Sequence, residues 1–239
     1  MSILYTVAGG VATLTLNRPE SRNALNLEMC EGILEATSAA SSDDSVRILF
    51  VKANGPVFCA GADLKERQGM SEAQVRERRM KGFAAYAALE ALPMPVIAVV
   101  QGPAVGSGCE IAGACDFIVA TPEASFRTPE ATRGTVGATQ RLPRILGKRL
   151  AKDMMFTGRE LGAEEAREAG LISRLVSIAD LESEIKKITE TILKAPQQSL
   201  RLAKRCIDKG VELDPKGALE TEIAAIEEQL AAGTWMGKK

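Results

Sequence analysis

The chain has 239 residues, 46% of them hydrophobic and 26% charged, with a formal net charge of −1. That size and apolar content suit one large globular domain, or a core with a small appendage, and the charge balance gives no general attraction to nucleic acid or an anionic membrane. The chain has no histidine, so proton transfer near neutral pH must use a carboxylate, a shifted Lys or Cys, or a bound water.

Val11 to Leu16 alternates apolar and polar residues and predicts a strand. Asn17-Arg18-Pro19-Glu20 breaks it. Asn26 is placed to cap a helix running to about Ser41, with Met29, Ile33 and Leu34 on its apolar side. Val46 to Lys52 predicts a second strand, ended by Asn54-Gly55-Pro56. The small-residue turn Phe58 to Asp63 follows, then a long charged segment in which Ser71 to Leu92 reads as helix. The run Arg76-Glu77-Arg78-Arg79-Met80-Lys81 within it reads as a wet helix face. Val96 to Val100 predicts a strand, and a helix follows from about Ser107. Strand, small-residue turn and helix thus occur twice, around 46–66 and 96–114, which suggests stacked β-β-α turns. From Leu146 onward the chain reads almost wholly helical, and 196–239 is a candidate helical assembly region beside a 1–195 core. The stripe Leu219, Ile223, Ile226 and Leu230 suits either core or a subunit interface.

No apolar run approaches the ~20 residues of a membrane-spanning helix. Met1 to Thr6 has neither a basic n-region nor an h-region. The five cysteines show no CxxC spacing, which argues against a zinc site and for reduced, mostly buried thiols in the cytoplasm.

Chemistry concentrates at two carboxylates, each in a short motif after an apolar run. Glu110 ends Gly106-Ser107-Gly108-Cys109-Glu110, and Glu130 ends Phe126-Arg127-Thr128-Pro129-Glu130. Two carboxylates in one pocket can divide acid and base roles. Purely structural readings compete. Ser107 to Glu110 fits a capping box, and Thr128-Pro129-Glu130 fits an N-cap with Pro in the first turn. Asp63 fits a helix N-cap, and Lys65 a solvated charge.

The ordered set of motifs resembles the crotonase (enoyl-CoA hydratase/isomerase) superfamily. It runs from Leu16-Asn17-Arg18-Pro19 through Phe58-Cys59-Ala60-Gly61-Ala62-Asp63-Leu64-Lys65 and Gly106 to Glu110. It continues with Thr128-Pro129-Glu130, Thr139 to Arg144, Phe156-Thr157-Gly158 and Ala166 to Leu171. The resemblance implies an α/β fold, a ββα spiral core with a C-terminal helical trimerisation region. It also implies an acyl-CoA thioester substrate, no separate cofactor, no metal, and a homotrimer or dimer of trimers. By the same resemblance, the N–H groups of Ala62 and Ser107 form an oxyanion hole, and Glu110 and Glu130 catalyse hydration of a 2-enoyl-CoA. Ser21, Arg22, Ala24, Ala60, Asp63, Leu64, Lys65, Val105, Gly106, Pro129 and Gly137 contact the substrate. Two departures stand out. Most relatives carry Gly at the Ser107 position, and a longer loop where this chain has only Gly134-Thr135-Val136-Gly137-Ala138. Isomerisation, thioester hydrolysis and a non-catalytic role are alternatives on the same fold. RNA binding is another, prompted by Arg141, Arg144, Lys148, Arg149 and Lys152, although the net charge weighs against it.

Overall fold

Alternation in β2 (Val11–Leu16) is repeated in its burial: Ala12, Leu14 and Leu16 are buried and their neighbours half-exposed. The structure, a computed structural model, describes residues 1–233. β2 pairs antiparallel with β1 (Ile3–Ala8) and parallel with β3 (Ile48–Ala53). β4 (Val96–Val100), β6 (Phe117–Ala120) and the two-residue β9 (Arg174–Leu175) continue the large sheet in the order β1-β2-β3-β4-β6-β9. β1 has no counterpart in the sequence reading. It is an edge strand whose burial fades along its length, so it shows no alternation.

A smaller sheet holds β5 (Pro103–Val105), β7 (Ser125–Arg127) and β8 (Glu160–Gly162). Parallel bridges Leu25↔Ala62 and Cys59↔Ala104 extend it with segments too short to be strands. Each pass of the chain therefore places a strand in the large sheet and an extended segment in the small layer, then a helix. The helices of the first three passes are α1 (Leu27–Ser42), α2 (Glu72–Glu90) and α3 (Ser107–Gly113). This is a ββα spiral, as the repeated pattern suggested. Successive passes sit close: a Cβ on Gly108 would lie 2.5 Å from the Cys59 carbonyl oxygen.

The large sheet is buried on both faces, which explains the continuous apolar runs in β3 and β4. Leu49, Val51, Ala98 and Val100 join the main core with α1 and α2. Ile48, Phe50, Ile97 and Val99 face Leu181, Ile185 and Ile188 of α6 (Leu181–Lys194). α1 starts as expected, with the Asn26 side chain accepting from the Met29 N–H. α2 is capped by a reciprocal pair, Ser71 and Gln74.

The stretch after residue 140 is less uniformly helical than its sequence suggests. α4 (Arg141–Thr157) and α5 (Ala163–Glu168) are separated by β8, and β9 precedes α6. α7 (Gln197–Gly210) and α8 (Pro215–Ala231) form the last pair. Leu202 and Ala225 are their buried residues, while Ile207, Val211, Leu219, Ile223, Ile226 and Leu230 are exposed. Lys204 ties α7 to Asp116 at 2.7 Å. The final six residues of the expected assembly region, 234–239, lie outside the described residues. No described helix is long and apolar enough to cross a membrane.

Candidate active site

β5 delivers the chain to the N-terminus of α3 through Gly106, at φ +50. A Cβ at that position would collide with Glu130 Oε1. Glycine is thus required twice over, for the backbone and for the neighbouring carboxylate. Gly106 absorbs the positive φ, and Ser107 opens α3 in ordinary helical conformation. The capping-box reading of Ser107 to Glu110 does not hold. Gly106 is the N-cap, and no side chain caps this helix. Ser107 instead lines one cavity with the buried Tyr86.

At the Leu25↔Ala62 bridge, the Leu25 N–H donates to Gly61 at 2.7 Å, and the Asp63 N–H donates to Leu25 at 2.9 Å. That pattern leaves the Ala62 N–H unused. Among the described residues, neither the Ala62 nor the Ser107 N–H donates to a protein acceptor. The Ala62 turn is fixed from behind by Asn23, whose amide bridges the Asn54 and Val57 carbonyls while its oxygen accepts from the Arg18 N–H. Asp63 holds the same turn. One of its oxygens meets Arg18 at 3.1 Å and the other accepts from the Lys65 N–H at 3.0 Å.

The two carboxylates sit in unlike surroundings. Glu110, one turn into α3 and 6% exposed, accepts from Arg141 Nη1 at 2.7 Å. Arg141 also binds Glu90 at 2.6 Å and lies 6.0 Å from the Tyr86 ring centroid. Glu130 precedes a short 3-10 turn, Ala131–Arg133, and caps nothing. Thr128 does not cap either: its hydroxyl is buried without a partner. Glu130 Oε2 is also shut from solvent without a hydrogen-bond partner. Burial above all lifts the Glu130 pKa, with the charge of Glu110 adding to it, against the pull of its own backbone N–H and of Arg133 and Arg79.

Both carboxylates face one cavity of about 300 Å³. Ala60, Ala62, Leu64, Val105, Gly106, Ser107, Pro129 and Gly137 line it with them, while Ser21, Arg22, Ala24, Asp63 and Lys65 do not. Among the residues that sequence reasoning missed are Arg67, Arg78, Arg79, Phe83, Tyr86 and Arg133, which line the cavity, and Arg141, which backs Glu110. The expected wet face is corrected at Arg78, which is buried and paired with Glu66 at 2.8 Å. Arg79 reaches across to the short 134–138 loop, donating to Thr135 Oγ1 at 3.1 Å and to the Val136 carbonyl. So the short loop still closes over the pocket, held by α2. Of the basic stretch on α4, Arg141 and Arg144 are taken up in ion pairs with Glu90, Glu110 and Glu212. Cys30, Cys59, Cys109 and Cys115 are buried free thiols, and burial pushes Cys59 up to about 12, far from a nucleophile's range. Among the described residues, no cluster of His, Cys, Asp or Glu is placed to hold a metal ion.

A family model described as enoyl-CoA hydratase/isomerase matches residues 6–233. The chain belongs to the enoyl-CoA hydratase/isomerase family. Its relatives in that family include a crotonyl-CoA hydratase of Syntrophomonas wolfei, 37% identical over 90% of this chain and 84% of the relative. The human mitochondrial enoyl-CoA hydratase domain-containing protein 2 is 39% identical over 89% of this chain and 76% of its own. Among solved structures, the enoyl-CoA hydratase of Bacillus anthracis superposes with a TM-score of 0.91 at 36% identity, covering 95% of this chain and 90% of that one. The spiral described above is thus the crotonase fold.

Proposed function

We propose that this family member is a 2-enoyl-CoA hydratase, adding water reversibly across the conjugated double bond to give a 3-hydroxyacyl-CoA. One observation carries the reading: two carboxylates in unlike surroundings share a cavity with two unused backbone N–H groups. Attack of water at Cβ builds negative charge on the thioester oxygen. Ala62 and Ser107 supply preorganised donors for that enolate, and losing one such donor typically costs ~3 kcal/mol in the barrier. Ser107, at the start of α3, adds a favourable helix end.

Glu110, bound by Arg141, takes the proton from the attacking water. Glu130, buried and lifted in pKa, carries the proton delivered to Cα. Hydration moves a water and no net electrons, so the reading calls for no redox cofactor. Ala60 and Leu64 line the cavity beside the thioester. Outside it, Lys65 lies along the CoA, and Ser21, Arg22 and Ala24 serve its nucleotide and pantetheine. The α7–α8 pair, with its exposed apolar stripe, builds a trimer or a dimer of trimers. The protein acts in the cytoplasm, with no nucleic-acid partner.

The test is to incubate the protein with crotonyl-CoA and a matched 3-enoyl-CoA, and to follow the conjugated thioester absorbance and the products. Formation of 3-hydroxybutyryl-CoA supports the reading. Double-bond migration without hydroxy product, or release of free CoA, assigns one of the alternative reactions instead. Light scattering at micromolar concentration tests assembly, and a monomer contradicts it.

A further inference from the structure

Arginines crowd the part of the cavity wall formed by α2 and the turns before it. Arg67, Arg78 and Arg79 all line the cavity. Their charges are unequally compensated. Arg78 has Glu66 at 2.8 Å and also donates to the Leu25 carbonyl. Arg79 donates only to neutral oxygens, those of Thr135 and Val136. The Arg67 guanidinium has no hydrogen bond or ion pair among the described residues, and its Nε is shut from solvent. The acids of the same cavity do not balance them. Glu110 is committed to Arg141, and burial disfavours the charged form of Glu130. The crowding is felt at Arg67, where burial and then the charges of Arg78 and Arg79 lower the pKa.

A guanidinium taken partly out of water without an acceptor is costly, because it loses hydration and gains nothing in return. Arg67 is such a group, and the charges of Arg78 and Arg79 nearby repel it as well. An entering carboxylate would relieve both costs and can accept from a guanidinium in a bidentate fork. Apolar Leu64, Phe83 and Val136, which line the same cavity, suit the methylenes leading to it.

We propose that the acyl group accepted by this site ends in a carboxylate, received by Arg67 and Arg79, so that the substrate is a dicarboxylic acyl-CoA monothioester. This rests on the acyl-CoA reading above and narrows its substrate class. The acyl carboxylate, not a CoA phosphate, is the ligand, because these arginines share a cavity with Glu110 and Glu130, whereas Ser21, Arg22, Ala24 and Lys65 lie outside it.

The test uses the full chain and saturated thioesters, which cannot be hydrated. Calorimetry compares glutaryl-CoA with 5-methylhexanoyl-CoA, in which two methyls replace the carboxylate oxygens, and both with CoA alone. Glutaryl-CoA should bind at least tenfold more tightly than the uncharged isostere. Arg67→Gln removes a charge that makes no bond to the protein, and should erase most of that ratio while leaving the affinity for CoA alone unchanged. Arg79→Gln should do the same, with Arg79→Lys keeping part of the preference. Equal or tighter binding of 5-methylhexanoyl-CoA overturns the proposal. So does an equal loss of both thioesters and CoA in the Arg67→Gln protein, which would give the arginine to a coenzyme phosphate. Turnover is read separately. A protein that prefers glutaryl-CoA but hydrates no 2-enoyl-CoA refutes the hydratase reading and leaves this one standing. One that hydrates crotonyl-CoA but shows no preference does the reverse.

Discussion

On the α3 side of the cavity, Glu110 is bound by Arg141, and Arg141 by Glu90, so the carboxylate has a fixed partner. On the loop side, Glu130 has a buried oxygen with no partner, and room made for it by two glycines, Gly106 and Gly137. The residue type is the same and the environments are opposed. The difference teaches how a chain without histidine can set two carboxylates of one cavity apart: one is given a cationic partner, while the other has a buried oxygen with none and a pKa raised by burial.

The sharpest way to break the comparison is to remove each carboxylate. Glu110→Gln and Glu130→Gln should each lower the hydration kcat by ~100-fold or more, with smaller effects on KM. Near-normal turnover in either variant removes that residue from the mechanism. Next comes the partner that distinguishes the two sides. Arg141→Gln leaves Glu110 buried with its charge uncompensated, so unfolding in urea should show a loss of about 3 kcal/mol, with kcat reduced as well. An unchanged denaturation midpoint would mean the pair contributes nothing to holding Glu110.

A subtler effect has the opposite sign. Glu130 has a raised pKa in the folded state, so at neutral pH its ionised form works against folding. Glu130→Gln should therefore raise Tm at neutral pH. The gain should shrink as pH falls through the folded pKa and vanish below the unfolded value, where both states are protonated. A Tm lower than the parent's at neutral pH contradicts the environment assigned to Glu130. The smallest effect is expected at Ser107. Its N–H donates to no protein acceptor among the described residues and is the group proposed for the reaction, so Ser107→Gly should keep kcat within about tenfold, or ~1.4 kcal/mol in the barrier. A collapse like that of the glutamate variants would put the hydroxyl in the reaction.

The spiral was legible in the sequence because its parts carry their own periodicity. Val11 to Leu16 alternates, Val96 to Val100 is buried on both faces, and Asn26 marks a helix start by capping it. The two glutamates were legible because each follows a strand within a motif of small residues. The arginines were not. Arg78 and Arg79 sit in a charged run, and only the fold brings Glu66 and the Leu25 carbonyl to one and the 135–136 loop to the other. Arg141 meets Glu110 across 31 residues of sequence, with no local pattern to announce it. β8 and β9 were hidden by their length, since three or two residues cannot show a period.

The strand order of the large sheet has a consequence for how the molecule is assembled. β1, β2, β3, β4, β6 and β9 lie side by side in the order in which the chain is synthesised. No strand has to be threaded between two others already paired. The sheet grows at a single edge, and each new strand finds its template complete when it leaves the ribosome. Each parallel pairing still joins distant segments, as Leu49 with Val96 and Val119 with Arg174, but it does so onto an edge that earlier chain has already formed. The two-residue β9 then ends the growing edge, leaving little backbone for another chain to extend.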